Sequence, residues 1–114
     1  MEPQTRATVR TSGRVAVIDI EGDLTSSAQQ AMKQAYQQAS AMATKKILLA
    51  FREEDYLNSA AISIIIDLIT ESRKREEKVR IAHPSAHFRK IFELVGVNLH
   101  AEVFSSAEAA LKAF

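Results

Sequence analysis

Residues 45–51 read KKILLAF, two lysines followed by five consecutive apolar residues, Ile47 to Phe51. A strand with one wet face alternates apolar and polar side chains. An unbroken run of this length suits a central strand covered on both faces. What covers it must come from the segments on either side.

Downstream, residues 52–56 (REEDY) form a charged loop. Residues 55–69, DYLNSAAISIIIDLI, then look like a helix entrance followed by the helix, with Ile62, Ile65, Ile66 and Ile69 on one face. Residues 71–78, ESRKREEK, carry both charge signs and read as an exposed helix end, with cations suited to a helix C-terminus. Upstream, residues 7–22 read as a strand, a turn at Ser12–Gly13 and a second strand stopped by Gly22. In that second strand Ala16, Ile18 and Ile20 alternate with Val15, Val17, Asp19 and Glu21. Residues 23–43 give one helix with an apolar stripe of Leu24, Ala28, Ala31, Met32, Ala35 and Ala39. Ser26 with Gln29, or Ser27 with Gln30, stands at capping-box spacing.

The C-terminal third repeats the alternation. Residues 78–83 (KVRIAH) make a short strand with Val79 and Ile81 inward. A helix over 85–96 places Phe88, Ile91, Phe92 and Val95 on one face, and Gly96 suits the position just past its end. Residues 101–104 (AEVF) make a last strand. A final helix over 105–114 turns Ala107, Ala110, Leu111 and Phe114 inward, with Ser105 and Glu108 at capping-box spacing. The predicted order is β-β-α-β-α-β-α-β-α. It describes an α/β domain with a mixed, mostly parallel sheet of four to five strands and about four helices. The first two strands pair antiparallel. Residues 1–6 are expected to be a flexible tail and 7–114 a single domain.

Composition narrows the function. The 114 residues carry a net charge of +1, with 46% hydrophobic and 25% charged residues, as in a soluble globular domain. Near-neutrality gives no general electrostatic case for nucleic acid or an anionic membrane. There is no cysteine, which excludes disulfides, thiol catalysis and zinc–thiolate sites. The polar first ten residues lack the apolar core of a signal peptide, and the longest apolar run, AAISIII, is far short of the ~20 residues that span a bilayer. A cytoplasmic location is expected, with no membrane insertion.

Most catalytic chemistry finds no support. The three glycines form no phosphate-cradling loop. His83 and His87 are four apart, but Pro84 between them argues against one regular helix presenting both to a metal. Glu53, Glu54 and Asp55 read as solvated loop acids. Ser59 has no G-x-S-x-G elbow and no histidine near it in sequence, so a hydrolase is disfavoured.

Ser59 has two readings at the helix entrance. Asn58 or Ser59 can be an ordinary N-cap, contributing about 0.5–2 kcal/mol. A hydroxyl at that place is also suited to reversible phosphorylation. A phosphate would bring nearly two negative charges, which the helix N-terminus tolerates. A partner packed on the same spot would have to desolvate those charges. Binding would change greatly and folding little.

Several segments together resemble the STAS domain, and more narrowly bacterial anti-sigma factor antagonists. These are IEGDLT (20–25), KKILLAF with the loop into YLNSAAISIII, and HPSAHFRKIFELVGV (83–97). The resemblance runs from about Ala7 to Phe114. The family's D-S-[ST]-G-[LI]-G-like motif stands here as Asn58-Ser59-Ala60-Ala61-Ile62-Ser63, with Asn for Asp at 58 and Ala for Gly at 61. The resemblance implies that Ser59 is the phosphoacceptor. It also implies that Asn58, Ala60, Ala61 and Ile62, with Asp23 as a further candidate, lie at the partner surface. The implied partners are an anti-sigma factor that is also a serine protein kinase, and a PP2C-type phosphatase. No cofactor, metal or catalytic residue is implied. A STAS scaffold that is not phosphorylated, or a regulatory subunit of a transporter, is the alternative.

Overall fold

The computed structural model describes residues 6–22, 28–52, 59–82, 86–97 and 100–114. Strand β1 (Arg6–Ser12) turns back into β2 (Val15–Glu21). Then follow α1 (Gln29–Ala41), β3 (Lys46–Ala50), α2 (Ser59–Lys74), β4 (Lys78–Ala82), α3 (Ala86–Leu94), β5 (Glu102–Phe104) and α4 (Ala107–Lys112). This is the order expected from the sequence. The five strands lie side by side in chain order, with β1 antiparallel to β2 and all other neighbours parallel.

The hairpin pairs Ser12 with Val15, so the two-residue turn is Gly13–Arg14, one position later than the sequence suggests. Gly13 adopts φ +60°, a left-handed conformation that glycine enters without steric cost. β1 begins at Arg6, opposite Glu21, so that residue belongs to the sheet rather than to the tail.

Each parallel crossover moves to the next strand in the same direction. Parallel crossovers are right-handed, so α1, α2 and α3 all fall on one face. There they pack on Ala16, Ile18, Ile20, Ile47, Leu49, Phe51, Val79 and Ile81. The opposite face shows Val15, Val17, Leu48, Ala50 and Ala82, and α4 lies over it with Ala107, Ala110 and Leu111, followed by Phe114. The unbroken run at 47–51 therefore has its physical reason. Alternate residues feed two separate cores, and all five are buried.

Three helix faces differ in detail from the sequence reading. In α1 the buried positions are Met32, Ala35, Tyr36 and Ala39, so Tyr36 joins the stripe. The helix starts at Gln29, and its N-cap, Ala28, makes no side-chain cap bond. Leu24, Ser26 and Ser27 lie outside the described residues. In α2 the buried face is Ala61, Ile65, Leu68, Ile69 and Ser72, while Ile66 is 36% exposed and Ile62 half-buried. In α3, Phe88 and Phe92 are buried but Val95 is half exposed, because the helix ends at Leu94 and Val97 fills the inward place. Gly96 does follow the helix end, at φ +80°, with its N–H donated to the Glu93 carbonyl. In α4 the cap is Ser106, not Ser105: its Oγ accepts from the Ala109 N–H at 3.0 Å.

Candidate functional site

Ser59 opens α2, and α2 begins at the carboxyl edge of the parallel strands. β3 leads to that edge through Phe51, whose N–H donates to the Ala82 carbonyl of β4 at 2.8 Å. Arg52 then emerges into solvent. In open α/β sheets this is the edge where ligands and partners engage.

The first turn of α2 is small and apolar. Ala60 and Ile62 are half-buried, and Ile62 packs against the core edge. Ala61 is fully buried within the main core. Its side chain therefore belongs to the packing of α2 on the sheet. The first turn carries no acidic residue, and Arg73 and Lys74 occupy the last turn. The basic end complements the helix dipole, and the positive end of that dipole faces the Ser59 edge. Asn58, Asp23 and the acidic run Glu53, Glu54 and Asp55 lie outside the described residues, as does His83 of the histidine pair.

Further along α2, polar groups are absorbed by the backbone. The Thr70 hydroxyl donates to the Ile66 carbonyl and the buried Ser72 hydroxyl to the Ile69 carbonyl, each at 2.8 Å. Such back-bonding lets hydroxyls sit within a helix.

A buried polar cluster at the opposite end of the sheet escaped the sequence reading. Glu77, just before β4, is only 8% exposed. Tyr36 donates its hydroxyl to Glu77 Oε1 and Ser40 to Oε2, both at 2.6 Å. Arg75 donates to Ser40 Oγ at 3.1 Å, and its guanidinium lies 5.8 Å from the centre of the Tyr36 ring. Burial, and then the bond to Glu77, pushes the Tyr36 phenol up from its ordinary value. Glu77 was read as part of an exposed charged run. A signal was present in that α1 carries Tyr36 and Ser40 one turn apart on its inner side, two hydroxyls needing an acceptor.

A groove between α1 and α2 runs along this cluster, floored by Met32, Tyr36 and Leu68 and edged by Lys33, Asp67, Glu71 and Arg75. Among the described residues no group of three or more His, Asp or Glu side chains could hold a metal ion. No helix among them is long and apolar enough to cross a membrane.

The comparisons agree with this architecture. The family model described as Mlab, STAS domain, matches residues 7–102. The chain belongs to the STAS domain family. Among solved structures, an anti-sigma factor antagonist from Mycobacterium paratuberculosis superposes with a TM-score of 0.83 at 16% identity, covering 99% of this chain and 97% of that one. The Bacillus cell fate determinant SpoIIAA in its phosphorylated form gives a TM-score of 0.66 at 15% identity, covering 95% and 99%. The anti-sigma factor antagonist SpoIIAA in its unphosphorylated form gives 0.61 at 17%, covering 94% and 95%. At these identities the likeness establishes the STAS fold. None of the curated proteins matches the chain.

Proposed function

We propose that this STAS domain is an anti-sigma factor antagonist in a partner-switching pathway. Unphosphorylated, it binds an anti-sigma factor that is also a serine kinase. Phosphorylation of Ser59 releases that partner, and a PP2C-type phosphatase restores binding. The protein acts by binding in the cytoplasm and is not itself an enzyme.

The observation that carries the reading is the position of Ser59 as the first residue of α2, at the carboxyl edge, where the family motif has its serine. A phosphate there meets the positive end of a 16-residue helix with no acidic residue in its first turn. The fold therefore accepts the modification, while a partner surface formed by Asn58, Ala60 and Ile62, with Asp23 as a further candidate, would have to bury a dianion. Ala61 contributes by setting the close seat of the helix on the sheet. The fold-mate SpoIIAA is known in a phosphorylated and an unphosphorylated form, which supports the same chemistry here.

Protein purified from its native host, measured as intact mass before and after phosphatase treatment, is expected to lose a phosphate that peptide mapping assigns to Ser59. A Ser59→Asp variant is expected to keep the wild-type melting temperature and lose the kinase. A phosphate found elsewhere, or unchanged kinase binding by the variant, sinks the proposal.

A second reading is a STAS scaffold that is not phosphorylated, or a regulatory subunit of a transporter. Asn58 and Ala61 depart from the strict motif, and the matching family model is the Mlab one. Recovery of a transporter component with the tagged protein, from cells in which Ser59 carries no phosphate, would decide for it.

A further inference from the structure

The face of the sheet opposite the three crossover helices holds an unusual group. Arg80 of β4 is 8% exposed and points into the layer between sheet and α4. Its guanidinium lies 4.6 Å from the centre of the Phe114 ring and 5.5 Å from that of Phe104. Yet its Nε and Nη1 are buried with no hydrogen-bond acceptor among the described residues. Glu102, its register neighbour on β5, is exposed and forms no ion pair with it among those residues. The aromatic faces attract the cation but accept none of its N–H groups in the plane of the fork. A buried charged donor left unmet costs more than a neutral one.

The cover over this group is slight. α4 has six residues, of which only Ala110 is fully buried. A helix that short does not persist in water on its own. Beneath it lies a continuous apolar strip of Val15, Val17, Leu48, Ala50 and Ala82. The strip and the unmet guanidinium together call for a segment that α4 is not: one with an apolar stripe and a carboxylate within it. Arg meets a carboxylate with strong charge-assisted bonds, and either unmet nitrogen, Nε or Nη1, can supply one.

We propose that α4 is a releasable cover and that the seat beneath it, centred on Arg80, receives a carboxylate-bearing amphipathic segment of a partner protein. This surface is separate from the Ser59 edge, and the proposal does not depend on phosphorylation. In the free protein α4 opens locally while the rest stays folded. In the complex the partner's carboxylate supplies the acceptor that Arg80 lacks.

Hydrogen exchange on the full chain tests the cover. The amides of Ala110 in α4 and of Ala113 at its C-cap are expected to exchange at least about tenfold faster than the Phe51 amide at the end of β3, by local opening. In Arg80→Met, which keeps the length and removes the charge, they are expected to slow by about tenfold or more. Faster exchange in this variant would show that the cation holds α4 down, and would overturn the idea. So would an Glu102→Gln variant with loosened α4, because Glu102 would then be the acceptor.

The receptor is tested with a designed amphipathic peptide of about fifteen residues, long enough to form a helix. One version carries a glutamate inside its apolar stripe, the other a glutamine. The glutamate version is expected to bind wild type about tenfold more tightly than the glutamine version does, and the two versions are expected to bind the Arg80→Met protein equally. No binding, equal binding by wild type, or a concentration-dependent dimer exchanging α4 between copies would overturn it.

Discussion

At the scale of single residues, the informative group is Tyr36. It sits on the inner side of α1 with its hydroxyl on a buried carboxylate. Both surroundings favour the neutral phenol, so the folded state holds this proton at pH values where the unfolded chain, with an ordinary value near ~10, has lost it. Between those two values the folded state binds more protons, and stability falls as pH rises. Below that window the contribution is complete. Tyr56→Phe leaves Tyr36 as the sole tyrosine. In that variant tyrosinate absorbance is expected to appear only above the ordinary range, together with loss of helical circular dichroism. A clean titration near pH ~10 in a folded protein would refute the buried bond. Glu77 was illegible in the sequence because it stands within ESRKREEK, where seven of the eight residues are charged and the eighth is serine. Nothing local separates the glutamate that turns inward from the charged residues that face water. The chain reverses at Glu76, φ +58°, and that reversal aims its neighbour into the protein.

At the scale of elements, strand and helix identity was legible and helix rotation less so. Strand β2 alternates, and β3 is apolar throughout, so both announce themselves. α2 carries isoleucine at 62, 64, 65, 66 and 69, so several rotations of the helix bury a similar set. Small residues decide between them. Ala61 and Ser72 let the helix approach the sheet along the row with Ile65, Leu68 and Ile69, and both are fully buried. Ile65→Ala is therefore expected to cost about 2–5 kcal/mol in urea unfolding, as for a large aliphatic removed from a core. Ile66→Ala, at a surface position, is expected to cost under about 1 kcal/mol. Equal losses would mean that the helix is rotated toward the face expected from the isoleucines alone. The site followed the same pattern. The motif placed Ser59 at the start of α2, and the buried methyl of Ala61 became visible only once the helix was laid on its sheet.

At the scale of the whole molecule, two layers of helix of unequal weight enclose one sheet. Three crossover helices cover one face and six residues of α4 lie over the other. Stability is expected to be graded accordingly. Amides shared between β3 and β4 should exchange only by global unfolding, and those of edge strand β1 at the outer side should exchange sooner. Uniform protection across the five strands would contradict that gradient. The spatial order of the strands is also their order of synthesis. Each newly made strand can add to an edge already laid down, without waiting for a distant partner or inserting between formed neighbours. Most sheet contacts then close over one crossover, a topology that favours rapid assembly. On the ribosome the hairpin and the first βαβ unit can form while later strands are still being made. The opposite face is the last to be covered, so a chaperone would find its apolar strip there.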